Sequence, residues 1–83
     1  MTIKLYALST CPYCMKTKQL LNEQGATYDL IDVDLAPDEV AARALEEVRK
    51  LTGQQSFPVI VINDRVIRGY HREEILAALS NEQ

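Results

Sequence analysis

Ile3-Lys4-Leu5-Tyr6-Ala7-Leu8-Ser9-Thr10-Cys11-Pro12-Tyr13-Cys14 sets out a strand, a turn and the first residues of a helix, and it carries both cysteines of the chain. Ile3, Leu5 and Ala7 alternate with Lys4 and Tyr6, as a short strand does. Ser9 and Thr10 supply capping hydroxyls, and Pro12 falls where a first-turn proline is tolerated. A dithiol with this spacing closes into a disulfide and reopens with little backbone movement. At a helix N-terminus the first sulfur also sits where unpaired N–H groups and the helix dipole favour a thiolate. The pattern points to redox chemistry.

Two other uses of the pair are weaker on physical grounds. A structural disulfide stabilises by closing a loop in the unfolded chain, and the effect shrinks as the loop shortens. Here the loop holds only Pro12 and Tyr13. A zinc site needs four ligands, and the chain offers two cysteines and one histidine, His71, far along the sequence. No metal site is expected.

The 83 residues are read as one domain, 1–83, near the lower practical limit for a core that folds without staples. A hydrophobic content of 47% argues against disorder. A net charge of −3 with scattered basic residues argues against nucleic acid as a partner. No segment is long and apolar enough to span a bilayer as a helix. The first residues alternate rather than show a charged-then-apolar leader, so a reducing cytoplasm is expected, where a lone dithiol is more often catalytic than structural.

The helix that starts at the cysteines should run through Leu20 and Leu21 to a stop at Gly25. Tyr28 to Val33 reads as a second strand, parallel to the first because a whole helix lies between them. Pro37-Asp38-Glu39 begins a second helix. Its apolar stripe, Val40, Ala41, Ala44, Leu45, Val48 and Leu51, is assigned to core packing alone, and Gly53 ends it. Val59-Ile60-Val61-Ile62 suits a strand covered on both faces. Asn63-Asp64 is a tight-turn signal that returns Val66-Ile67 antiparallel, and Gly69 breaks that strand. Glu73 to Leu79 forms a last helix, with Asn81-Glu82-Gln83 fraying beyond it. The expected fold is α/β: β-α-β-α-β-β-α, a four-stranded mixed sheet with helices on both faces and the dithiol at the C-terminal end of the first strand, where open α/β sheets place their sites.

Disulfide exchange needs an attacking thiolate, an accessible sulfur and a second thiol to resolve the mixed disulfide. Cys11, at the helix start, is the candidate nucleophile. At an unperturbed pKa of about 8.5, only roughly 3% of it would be ionised at neutral pH. Cys14, three residues on, lies over the same helix face and is the candidate resolving thiol. Lys16 and Lys18 follow, and either can raise the potential near the sulfur or meet an anionic substrate group. Phe57-Pro58 precedes the buried strand. His71 is read as flanking the last helix.

With Cys11-Pro12-Tyr13-Cys14 after the first strand, a proline before the third and a glycine after the fourth, the chain resembles a glutaredoxin over essentially its whole length. The resemblance implies a thioredoxin fold, with Cys11 as nucleophile and Cys14 as resolving thiol. It implies a cis Pro58 packed against the dithiol, leaving the backbone of Phe57 to pair with an extended thiol substrate. It implies substrate-binding roles for Tyr13, Lys16, Phe57, Pro58, Gly69 and Tyr70. No tightly bound cofactor is implied, and glutathione would enter as a co-substrate.

The chain also departs from that pattern. Glutaredoxins usually carry a lysine or arginine three residues before the first cysteine, where this chain has Leu8. They usually have Thr-Val-Pro where this chain has Ser56-Phe57-Pro58. Their Gly-Gly-Cys/Ser-Asp-Asp segment meets the ammonium group of glutathione, and here the run is Arg68-Gly69-Tyr70-His71-Arg72. That tail is similar to the glutaredoxin-like electron donors of ribonucleotide reductase, which thioredoxin reductase recycles and whose Gly-Phe-Arg-Pro segment Tyr70 partly matches.

The expected function is therefore dithiol–disulfide oxidoreduction, on protein disulfides or glutathione mixed disulfides, with glutathione or a disulfide reductase as the electron source. The alternative is an electron donor to ribonucleotide reductase recycled by thioredoxin reductase or a ferredoxin-linked reductase. A different class is an iron–sulfur carrier, which would need a dimer to supply four ligands. A binding module with an inert dithiol is the third. A monomer is expected from the small size and the lack of an obvious apolar stripe.

Overall fold

The alternating residues at the start form strand β1 (Ile3–Ala7), which feeds helix α1 (Pro12–Glu23) through a four-residue turn. There follow β2 (Asp29–Asp32), α2 (Asp38–Thr52), β3 (Val59–Ile62), β4 (Arg65–Arg68) and α3 (Arg72–Ser80). The computed structural model describes residues 2–80, so the fraying expected of Asn81-Glu82-Gln83 lies outside the described residues.

The four strands lie in the order β2-β1-β3-β4. The β1–β2 pair is parallel, as a connection containing a helix demands, and β1–β3 and β3–β4 are antiparallel. The sheet is covered on both faces. Leu5, Ile60, Ile62 and Ile67 pack with Leu20 and Leu21 of α1 and Ile75 and Ala78 of α3. Tyr6 and Val59 pack on the other side with Ala44 and Val48 of α2. This explains why the alternation in β1 does not divide buried from exposed residues. Tyr6 points away from Leu5 yet is buried, its hydroxyl donating to Glu47 at 3.1 Å.

Three local expectations change. The cap of α1 is Cys11 itself rather than Ser9 or Thr10. Its backbone is extended (φ −81°, ψ 121°), and its Sγ accepts the N–H of Cys14 at 3.3 Å. Pro12 at the first helical position leaves the residue before it as the only place for the cap. The second strand is also shorter than Tyr28 to Val33, because pairing with β1 spans Asp29 to Asp32. In α2, finally, the stripe is not all core. Ala44 and Val48 are buried, but Val40 and Leu51 are 39% and 43% exposed. They sit in the first and last turns of the helix.

Gly53 closes α2 in the left-handed region at φ 79°, donating to the carbonyl of Arg49 at 2.8 Å. A Cβ there would touch nothing within 4 Å, so the whole penalty of adding one is conformational. Gly53→Ala is expected to destabilise the fold by about 1 kcal/mol, the usual cost of this backbone region for an alanine. Thermal unfolding should show a fall of about 4–8 °C per kcal/mol for a domain of this size.

Candidate active site

The dithiol sits at the end of β1, on the first turn of α1. Both cysteines are free thiols; Cys11 is partly exposed and Cys14 is fully buried. The asymmetry follows from the helix. Cys14, Thr17, Leu20 and Leu21 form its buried face, at spacings that bring them to one side. Cys11 lies at the end of that face, where the chain meets solvent. The hydroxyl of buried Thr17 is satisfied by the carbonyl of Tyr13 at 2.9 Å.

The two sulfurs have opposite environments. Burial alone would push the Cys11 thiol up. It is outweighed by the hydrogen bond from the Cys14 thiol, the backbone N–H groups of Cys14 and Tyr13, and the charge of Lys18, so the thiol lies below its ordinary value. For Cys14, burial dominates and the neighbouring Cys11 adds to it, pushing the thiol up to about 12. The N–H of Leu8, 3.4 Å from Cys14 Sγ, and Lys18 act in the opposite direction but do not prevail. The dithiol thus pairs one sulfur disposed to ionise and to be reached with one held protonated and enclosed.

Phe57-Pro58 is a cis peptide. Pro58 is buried, and its carbonyl accepts the N–H of Gly69 at 2.7 Å, so the segments before β3 and after β4 are tied together. Gly69 has φ 87°. Phe57 packs partly against both cores, and Tyr70 packs against the cluster that holds Cys14. Cys11 borders the same cluster as Phe57 and Tyr70. Tyr70 also lines a groove with Lys16 and Leu20 of α1, so the segment after β4 meets the helix that carries the dithiol. His71 precedes α3, its carbonyl accepting the N–H of Ile75 at 2.9 Å, and both His71 and Arg72 are exposed.

Tyr13 and Met15 stand out from the start of α1, 59% and 57% exposed. Lys16 is also exposed and lies over the Tyr13 ring, 5.4 Å from its centre. Two open grooves run along α1. One, of about 610 Å³, is lined by Ser9, Met15, Lys18, Gln19, Asn22 and Glu23. The other, of about 270 Å³, is lined by Lys16, Gln19, Leu20, Glu23 and Tyr70. Neither contains Cys11.

Two contacts near the dithiol join residues that the sequence does not pair. Asp34, just after β2, accepts the N–H of Ser9 at 2.9 Å and also the Ser9 hydroxyl, holding the turn before Cys11. These bonds keep the Asp34 carboxyl below its usual range. Lys18 donates to Asp32 at 2.9 Å. The helical spacing of Cys11, Cys14 and Lys18 is legible in the sequence; the carboxylates that meet Lys18 and Ser9, Asp32 in β2 and Asp34 just after it, give no local signal.

Comparison with known proteins agrees with this geometry. A family model described as glutaredoxin matches residues 3–67. An uncharacterized glutaredoxin-like 8.6 kDa protein in the rubredoxin operon of Clostridium pasteurianum is 40% identical over 73 residues, covering 88% of this chain and 91% of that protein. The crystal structure of methanoredoxin from Methanosarcina acetivorans is similar with a TM-score of 0.89 and 37% identity, over 94% of this chain and 83% of that one. The NrdH-redoxin of Escherichia coli, described as a glutaredoxin-like protein with a thioredoxin-like activity profile, is similar with a TM-score of 0.72 and 25% identity over 93% of each chain.

Proposed function

The chain belongs to the glutaredoxin family, and from that premise we propose that it is a dithiol–disulfide oxidoreductase acting through Cys11 and Cys14. The observation that carries this reading is the unequal pair, an accessible Cys11 stabilised as thiolate beside a buried, protonated Cys14. In the first step the Cys11 thiolate attacks one sulfur of a substrate disulfide. A Cys11–substrate disulfide forms, and the other substrate sulfur leaves as thiolate and takes up a proton. In the second step Cys14 gives up its proton and attacks Cys11 Sγ, releasing the remaining substrate thiolate, which is protonated in turn. The substrate gains two electrons and two protons, and the chain is left with a Cys11–Cys14 disulfide.

Around that reaction, Pro58, Phe57, Gly69 and Tyr70 would form one wall for an extended thiol substrate. Tyr13 and Lys16 would form the other. The reaction needs no resident cofactor, and a reducing compartment such as the cytoplasm is where an unlinked dithiol would be maintained.

The electron donor has two candidates, glutathione and a disulfide reductase such as thioredoxin reductase. The cationic Arg68-Gly69-Tyr70-His71-Arg72 run favours the reductase, because His71 and Arg72 stand exposed where carboxylates would be needed to attract the ammonium of glutathione. The likeness to a redoxin with a thioredoxin-like activity profile supports the same choice. This would suit an electron donor to an enzyme that cycles through a disulfide, such as ribonucleotide reductase. The test supplies the oxidised protein with glutathione, glutathione reductase and NADPH, and separately with thioredoxin reductase and NADPH. NADPH oxidation should be faster in the second arm. Faster turnover with glutathione would return the donor to glutathione, and failure of both arms would count against the oxidoreductase itself.

A further inference from the structure

Cys11, Cys14 and Lys18 stand at i, i+3 and i+7, so they follow one another along a single face of α1. Lys16 is two residues from Cys14 and from Lys18, and the same geometry turns it away, to the exposed side over Tyr13. The residues just before the dithiol, Leu8, Ser9 and Thr10, carry no cation. The nearest fixed positive charge that the helix can align with both sulfurs is therefore Lys18.

Lys18 does not extend freely into water. Its ammonium lies 2.9 Å from Asp32 Oδ1, and the two side chains are only 21% and 18% exposed. Asp32 is the last residue of β2, in register with Ala7, the last residue of β1. The carboxylate is thus built into the sheet at the level from which the dithiol turn departs. Two residues on, Asp34 grips Ser9 in that turn. A half-buried ion pair is a poor source of stability, because the loss of hydration offsets most of the attraction. A pair in this place is better explained by where it holds the charge.

We propose that Lys18 is the positioning cation of the dithiol, fixed by Asp32 on the face of α1 that carries both sulfurs so that one immobilised ammonium serves each of them in turn. It touches neither substrate nor the bond being broken. It acts on Cys11 when that sulfur attacks, and on Cys14 when that sulfur must ionise to resolve the mixed disulfide. The directions of the thiol shifts agree, since Lys18 lowers both Cys11 and Cys14. The charged groups around it are Asp32, its direct partner, Asp34, just after β2, and Glu23, which lines the same groove along α1. This inference rests on the reading of Cys11 as nucleophile.

The test follows thiolate formation in the reduced full-length chain, by ultraviolet absorbance and by alkylation with neutral iodoacetamide across pH, with the alkylated residue identified by mass spectrometry. Lys18→Met should raise the Cys11 midpoint by about half to one pH unit, and slow alkylation about three- to tenfold when measured one unit below the wild-type midpoint. Lys18→Arg, which keeps the charge and the carboxylate partner, should restore most of the difference. An unchanged midpoint in folded Lys18→Met overturns the proposal, as does an equal shift in Lys16→Met. Should Lys18→Met fail to fold, the wild-type chain still decides, because the Lys18 side-chain carbon signal should step at the Cys11 midpoint in an NMR titration, and its absence overturns the proposal. If mass spectrometry shows Cys14 reacting first, it is the parent assignment of the nucleophile that fails.

Discussion

Replacing Cys11 with serine is expected to lower disulfide turnover by at least about a thousandfold while leaving the fold intact. A serine hydroxyl is not ionised near neutral pH and cannot form the covalent intermediate on which the exchange depends. The substitution is clean because Cys11 is also the helix cap. Its Sγ accepts the N–H of Cys14 at 3.3 Å, and serine is among the residues best suited to that task. The thermal midpoint should stay within about a degree or two of wild type, consistent with a well-capped helix and an altered sulfur alone. An NADPH-coupled reduction assay, run beside thermal unfolding, reads both. Retention of more than a tenth of the activity would mean that Cys11 is not the nucleophile.

Much of this could be read from the chain because the decisive signals are local. The strand, proline and two cysteines at the start place the dithiol on a helix N-terminus without reference to anything distant. Val59-Ile60-Val61-Ile62 announces a strand covered on both faces, and the structure puts it in the middle of the sheet between β1 and β4. Asn63, at φ 53°, makes the turn expected of it. What the sequence did not reveal depends on which residues the fold brings together. Ser9 has a hydroxyl suited to a cap and is also the partner of Asp34, and only the position of β2 beside β1 decides between those uses. Two lysines follow Cys14, and the sequence favours Lys16 over Lys18 as a site residue. The helical face and the strand carrying Asp32 separate them. Val40 and Leu51 obey the periodicity of a buried stripe, but they lie in the first and last turns of α2 and stay exposed, which periodicity alone does not reveal.

Replacing Cys14 with serine should have the opposite signature to the loss of Cys11: the first step proceeds and the second stops. Mixing the reduced variant with a disulfide-containing protein should yield a stable adduct through Cys11, visible as a mass increase that dithiothreitol reverses. Turnover on protein disulfides should fall by about a hundredfold or more, because the intramolecular thiol that resolves the adduct has an effective concentration far above that of any thiol in solution. The burial of Cys14 would keep the free chain from reacting indiscriminately through its second thiol. As a protonated thiol pushed up to about 12, it stays inert until Cys11 is joined to a substrate. At that point the negative charge on Cys11, one of the causes holding Cys14 protonated, is gone; burial still opposes ionisation, but the N–H of Leu8 at 3.4 Å and the charge of Lys18 favour it. Cys14→Ala should trap the same adduct, which separates loss of the thiol from any effect of a buried hydroxyl. The variant also divides the substrates. A protein disulfide needs Cys14 to free the product, whereas a glutathione mixed disulfide can be cleared from Cys11 by a second glutathione. Loss of the first activity with survival of the second would show that both substrates reach Cys11 and that only one depends on the dithiol. Loss of both would agree with the exposed His71 and Arg72 in turning glutathione away.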